Sequence, residues 1–129
     1  MPQFKVENVI KLKDFLYDPC FHDASLKRIN YEYTSDNLII EAFNPFFNCK
    51  LKFDFSGIDT VFATKGNWFY GNSVEINSLT VEEDFSYLQK NVPKFDKTID
   101  EFLYFVFQMF SGDEIHIVCK EVTVEKNSQ

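Results

Sequence analysis

Apolar and polar residues alternate along most of this chain, and the period of the alternation changes from stretch to stretch. Phe4, Val6, Val9, Ile10, Leu12, Phe15 and Leu16 fall mostly on one stripe at helical spacing, which predicts a helix over 4–17. Pro19 ends it, because the residue before a proline avoids helical angles. After the connector 20–25 the period becomes two. Ile29, Tyr31 and Tyr33 alternate with Arg28, Asn30 and Glu32 and predict a half-buried strand. Thr34-Ser35-Asp36-Asn37 is turn chemistry, and Leu38 to Phe43 returns as a strand. Leu51, Phe53 and Phe55 alternate with Lys50, Lys52 and Asp54 in the cleanest amphipathic strand. Ser56-Gly57 breaks it, and strands over 58–64 and 74–81 follow. A short helical turn fits 85–89.

Residues 94–110 match two patterns. Phe95, Ile99, Phe102, Leu103, Val106, Phe107 and Phe110 fit a helix, but Tyr104, Phe105 and Met109 would make it apolar on every side. Aromatic and β-branched enrichment favours strand. The turn signal Ser111-Gly112-Asp113 then predicts a hairpin of Glu101–Phe110 with Glu114–Val124. A two-residue loop would set Phe110 opposite Ile115, Met109 opposite His116, Phe107 opposite Val118 and Val106 opposite Cys119. Ile115, Ile117 and Cys119 are odd while Val122 and Val124 are even, so a bulge is expected near Lys120. The predicted architecture is a single α+β domain over 1–129. It has an antiparallel sheet of about six or seven strands, with the N-terminal helix packed on one face.

Composition changes this picture little. With 45% hydrophobic residues and 26% charged, the chain has material for a core, and 16 phenylalanines leave rings to spare for a binding surface. The net charge of −7 speaks against nucleic acid and against anionic membranes, and it permits steering toward a basic partner. The longest apolar run, Phe102 to Phe107, is far short of a membrane span. Cys20, Cys49 and Cys119 are odd in number and widely spaced, and Met1 to Lys13 lacks an apolar leader. Reduced thiols in a cytoplasm are therefore expected.

Candidate chemistry is sparse. His22-Asp23, beside Cys20, could pair a base with an orienting carboxylate, against the plainer reading that Asp23 turns the backbone. His116 and Cys119 stand three apart on a strand and face opposite sides, which weighs against a shared metal. Any cysteine could be a nucleophile, but buried inert thiols are the commoner case. Trp68, Phe69 and Tyr70, between Gly66 and Gly71, and Phe46 and Phe47 in the Asn44–Asn48 loop, are interface candidates that could instead cap the core. Glu82-Glu83-Asp84 reads as a solvated acidic run. No catalytic residue, cofactor or metal is assigned.

Phe21-His22-Asp23, the alternating Ile, Leu, Tyr and Phe strands, Ser111-Gly112-Asp113 and a closing strand resemble the layout of small uncharacterised bacterial proteins, some of them similar to immunity proteins that neutralise toxins. That resemblance implies binding without catalysis and transfers no site residue. The expected function is a non-enzymatic cytoplasmic module, monomer or homodimer, that binds a basic protein. The alternative is a small-ligand or enzymatic domain with a pocket near His22, Asp23 or His116.

Overall fold

The computed structural model describes residues 2–66, 75–98 and 100–128. Its strands are β1 (Gln3–Lys5), β2 (Ser25–Glu32), β3 (Asn37–Asn44), β4 (Cys49–Ser56), β5 (Thr60–Thr64), β6 (Ile76–Glu82), β7 (Leu103–Met109), β8 (Glu114–Cys119) and β9 (Glu121–Ser128). The helices are α1 (Val9–Phe15) and α2 (Ser86–Asn91). The chain is mainly antiparallel sheet, as expected, but the strands form two sheets, not one. A five-stranded sheet has the order β1-β9-β4-β3-β2, and a four-stranded sheet has the order β5-β8-β7-β6. Among the described residues, no helix is long and apolar enough to cross a membrane.

Period-two patterning explains the packing. Leu38, Ile40, Leu51, Phe53, Phe55, Val122 and Val124 point inward from the larger sheet and are buried. Phe105, Phe107, Ile115 and Ile117 do so from the smaller one. The two faces meet edge to face: Phe53 on Phe107 at 5.3 Å and Phe55 on Phe105 at 5.0 Å between ring centroids.

The predicted helix is shorter than 4–17. Phe4 pairs opposite Val122 in the β1–β9 ladder, and a 3₁₀ turn over Val6–Asn8 separates that strand from α1. Local spacing cannot reveal that the free edge of β9, far along the chain, offers Phe4 a strand partner. α1 packs against β1 and β6, the edge strands of the two sheets, and inserts Leu12 and Leu16 into the core between them.

Within the expected strand Glu101–Phe110, Leu103–Met109 is a strand and its hairpin exists, but its register differs from the expected one. Phe107 lies opposite Ile115, Val106 opposite His116 and Leu103 opposite Cys119. The loop has three residues, Phe110, Ser111 and Gly112. The Met109 N–H donates to the Asp113 carbonyl at 2.8 Å, the Gly112 N–H donates to the Met109 carbonyl at 2.9 Å, and Gly112 sits at φ +88°. This is a turn followed by a left-handed glycine, the standard three-residue solution. The slip by three positions changes faces. Phe105 and Phe107 go inward, and His116 shares the outer face with Tyr104 and Val106, not with Met109 and Phe107.

The phase change at Lys120 is real but has a larger cause than a bulge. β8 belongs to one sheet and β9 to the other. The Lys120 N–H is held at the corner by the Ser56 and Gly57 carbonyls, both at 3.2 Å. The chain turns from sheet to sheet there, so Cys119 and Val122 both face the shared core.

Candidate functional site

The outer face of the smaller sheet is built from the even-numbered positions of four strands. Cross-strand pairing aligns Phe62, His116, Val106 and Thr80 in one row. Glu114, Gln108 and Ser78 align in the next row, and Val118, Tyr104 and Glu82 on the other side. α2 and the segment after it cover part of this face, where Phe85, Leu88, Phe102, Tyr104 and Val118 form a second apolar cluster. A cleft of about 370 Å³ remains beside α2, lined by Glu82, Asp84, Ser86, Tyr87, Tyr104, Val106, Glu114 and His116.

His116 is the hub. It is only 3% exposed, and its ring lies parallel to Phe62 at 4.4 Å and nearly parallel to Tyr87 at 5.1 Å. The Tyr104 hydroxyl lies 2.6 Å from Nδ1, and Glu114 Oε1 lies 2.9 Å from Nε2. Burial, followed by the charges of Tyr87, Glu82 and Glu114, holds the Tyr104 phenol above its ordinary value, so its O–H stays on and donates to Nδ1. In the neutral ring Nε2 then carries the proton and donates to Glu114. Gln108 Nε2 donates to the other Glu114 oxygen at 3.3 Å, and Asn77 Nδ2 donates to Gln108 Oε1 at 3.3 Å. The chain of bonds fixes the Glu114 carboxylate at the cleft.

A general base needs a nitrogen lone pair free to meet substrate. Both His116 nitrogens are engaged within the protein, so the Tyr104–His116–Glu114 line braces the cleft wall. The cleft itself offers charge and rings. Glu82, Asp84 and Glu114 line it with no lysine or arginine among the lining residues. The Ser86 N–H donates to Asp84 at 2.9 Å and holds its carboxyl below the usual range, so it is ionised at neutral pH. Tyr87 is 42% exposed and presents a ring beside these carboxylates.

The sequence-derived candidates are dispersed. Trp68, Phe69 and Tyr70 lie outside the described residues. Phe46 and Phe47 sit at the β3–β4 turn, 76% and 49% exposed, with both N–H groups donated to Asn44 Oδ1. His22 lines a separate cleft of about 340 Å³ with Lys13, Tyr17 and Glu82. Asp23 takes φ +61° and turns the backbone, its N–H donating to the Ile76 carbonyl. His22 and His116 therefore do not converge; their clefts share Glu82 alone. Cys119 faces the core and His116 the outer surface. Among the described residues, no group of three His, Cys, Asp or Glu side chains is placed to hold a metal ion.

All three cysteines are free and buried. Burial pushes the Cys119 thiol up to about 12. Burial, then the Asp18 carboxylate, pushes Cys20 up to about 11. Both are protonated at neutral pH and poor nucleophiles.

Sequence reasoning passed over Glu82, Asp84, Tyr104 and Glu114. Glu82-Glu83-Asp84 read as a solvated run, and all three residues are exposed, Glu83 meeting Lys13 at 3.2 Å; what that reading missed is that Glu82 and Asp84 also line the cleft. The available signal was the even-numbered polar set Tyr104, Gln108, Glu114 and His116, which the correct register puts on one face. No protein-family model matches the chain, and no curated protein matches it.

Proposed function

We propose that this chain is a non-enzymatic cytoplasmic protein-binding module that takes a cationic side chain of a basic partner into the cleft beside Tyr87. The observation that carries the reading is the lining: three carboxylates and two tyrosines, with no lysine or arginine. A lysine ammonium or arginine guanidinium gains from both parts of such a lining, through charge-assisted hydrogen bonds and through the ring face. The braced Glu114 carboxylate needs little reorganisation to receive it. The net charge of −7 would speed encounter with a basic surface. Buried, free thiols agree with a reducing compartment. Exposed Phe46 and Phe47 offer apolar contact for the same kind of partner. An immunity-type role, covering the basic surface of a toxin, is the form of this function that the layout resemblance favours.

The test uses labelled peptides of equal length that are arginine-rich, lysine-rich, neutral or acidic, read by fluorescence anisotropy. Only the basic peptides are expected to bind. Glu82→Gln combined with Glu114→Gln should weaken them about tenfold, and added salt should weaken them further. Equal binding of neutral and basic peptides would overturn the reading.

A further inference from the structure

β6 is an edge strand of the smaller sheet, bonded to β7 on one side. The hairpin fixes the phase of that bonding. The Met109 N–H and carbonyl serve the β8 side, through Asp113 and Gly112, whereas the Phe110 N–H donates to the Glu75 carbonyl on the β6 side. Alternate residues of a strand direct their N–H and C=O groups to opposite neighbours. Gln108, Val106 and Tyr104 therefore bond toward β6, and their partners Ser78, Thr80 and Glu82 bond back. The N–H and C=O groups of Leu79 and Val81 point the other way, out of the sheet edge. The same edge is in use at Ile76, whose N–H and carbonyl bond to Ala24 and Asp23. At Leu79 and Val81, among the described residues, none of the four groups has a hydrogen-bond partner, although these residues are only 5% and 7% exposed. Backbone groups of buried residues are nearly always paired. These four face the cleft of about 340 Å³ whose other wall is Lys13, Leu16, Tyr17 and His22.

We propose that an extended segment of a partner protein enters this cleft as a fifth strand, antiparallel to β6, and closes four hydrogen bonds with Leu79 and Val81. Main-chain bonds of this kind give affinity, and alternate side chains give specificity. The wall beyond the edge admits a lone strand and bars a second sheet, so a second copy of β6 does not fit. The residues opposite Leu79 and Val81 turn their side chains to the inward face, beside Leu16, and should be apolar. The residue opposite Thr80 turns outward and should be polar. The residue opposite Glu82 also turns outward and should be basic, because Glu82 is exposed and opposite charges stabilise a cross-strand pair. From its N-terminus the segment runs basic, apolar, polar, apolar. Glu82 lines the cleft beside Tyr87 as well. The basic position rests on the function proposed for that cleft; the backbone pairing does not.

Hydrogen exchange of the full chain, with and without a capped peptide of glycine, arginine, valine, threonine, valine and glycine, tests this. In the free chain the Leu79 and Val81 amides should exchange at least about tenfold faster than those of Thr80 and Glu82. Saturating peptide should slow Leu79 and Val81 alone. N-methylation of both valines removes the two donors that face β6 and should weaken binding about tenfold or more. N-methylation of the threonine, whose N–H faces away, should be tolerated. No binding to ~1 mM overturns the proposal. So does binding that leaves Leu79 and Val81 exchanging freely, or an equal loss from methylation at threonine. A peptide with alanine in place of arginine separates the two claims. If it slows Leu79 and Val81 as well as the parent does, the edge pairing stands and the cationic cleft falls. If arginine-rich peptides bind while none slows those amides, the cleft stands and the edge pairing falls.

Discussion

Asn44 shows how much one residue can organise. Its side chain is fully buried, donates to the Cys20 and His22 carbonyls at 3.0 and 2.8 Å, and accepts from the Phe46 N–H at 2.9 Å. It ties the Pro19–Phe21 turn to the β3–β4 hairpin. Asn44→Ala would leave several backbone groups without partners, and a loss of about 2–4 kcal/mol is expected in urea denaturation. Asn44→Asp keeps the acceptor for Phe46 but sets a carboxylate against two carbonyls, so it should also be destabilising. Asp18 gives a pH-dependent counterpart. The Lys126 ammonium, followed by the Cys20 N–H, holds its carboxyl below the usual range. A lowered folded value means that the contribution is present above the unfolded value near ~4 and is lost as pH falls through the folded value. Asp18→Asn should therefore lower the melting temperature at neutral pH. The difference from wild type should close as the solution is acidified to about pH 2. A gap that persists unchanged in acid would show that ionisation is not its source.

At the scale of elements, what the sequence displayed was the period of each strand, and what it hid was which strands meet. Leu51-Lys52-Phe53-Asp54-Phe55 announced β4 because its alternation is local. Phe4 looked helical because its strand partner, Val122, lies at the opposite end of the chain. Ser111-Gly112-Asp113 announced a hairpin, but two- and three-residue loops share the same glycine signal, and the choice between them decides which face His116 occupies. The cleft was invisible for that reason. The structure adds a contact that holds the hairpin in its register: Asp113 accepts from the Gly66 N–H at 2.7 Å and meets Lys65 at 2.6 Å. A methyl group on Gly66 would stand 2.4 Å from the Gly112 carbonyl carbon, with backbone on both sides unable to give way. Gly66→Ala is thus expected to cost about 1–3 kcal/mol. Gly112→Ala, at φ +88°, should cost about 1 kcal/mol. Thermal denaturation of both variants checks the order, and a neutral Gly66→Ala would contradict the close approach.

At the scale of the molecule, two apolar clusters lie on opposite faces of the smaller sheet, and they do different things. The larger, between the sheets, carries the fold. Phe107→Ala, which removes a fully buried ring touching Phe53 and Phe55, should cost about 3–5 kcal/mol. The smaller, around Leu88 and Tyr104, carries α2 and so forms the cleft. Tyr104→Phe removes a hydroxyl whose partner is a buried imidazole nitrogen. It should cost about 1–2 kcal/mol and loosen the Glu114 carboxylate, weakening a basic peptide without unfolding the sheets. The account rests on that cleft being where a cationic side chain binds. Titrating the chain with an arginine-rich peptide while following its ring and amide resonances by NMR tests this most directly. Saturable shifts centred on Tyr87, His116 and Glu114, absent in the Glu82→Gln, Glu114→Gln variant, are the predicted result. Shifts confined to other surfaces, or no shifts at all, would contradict it.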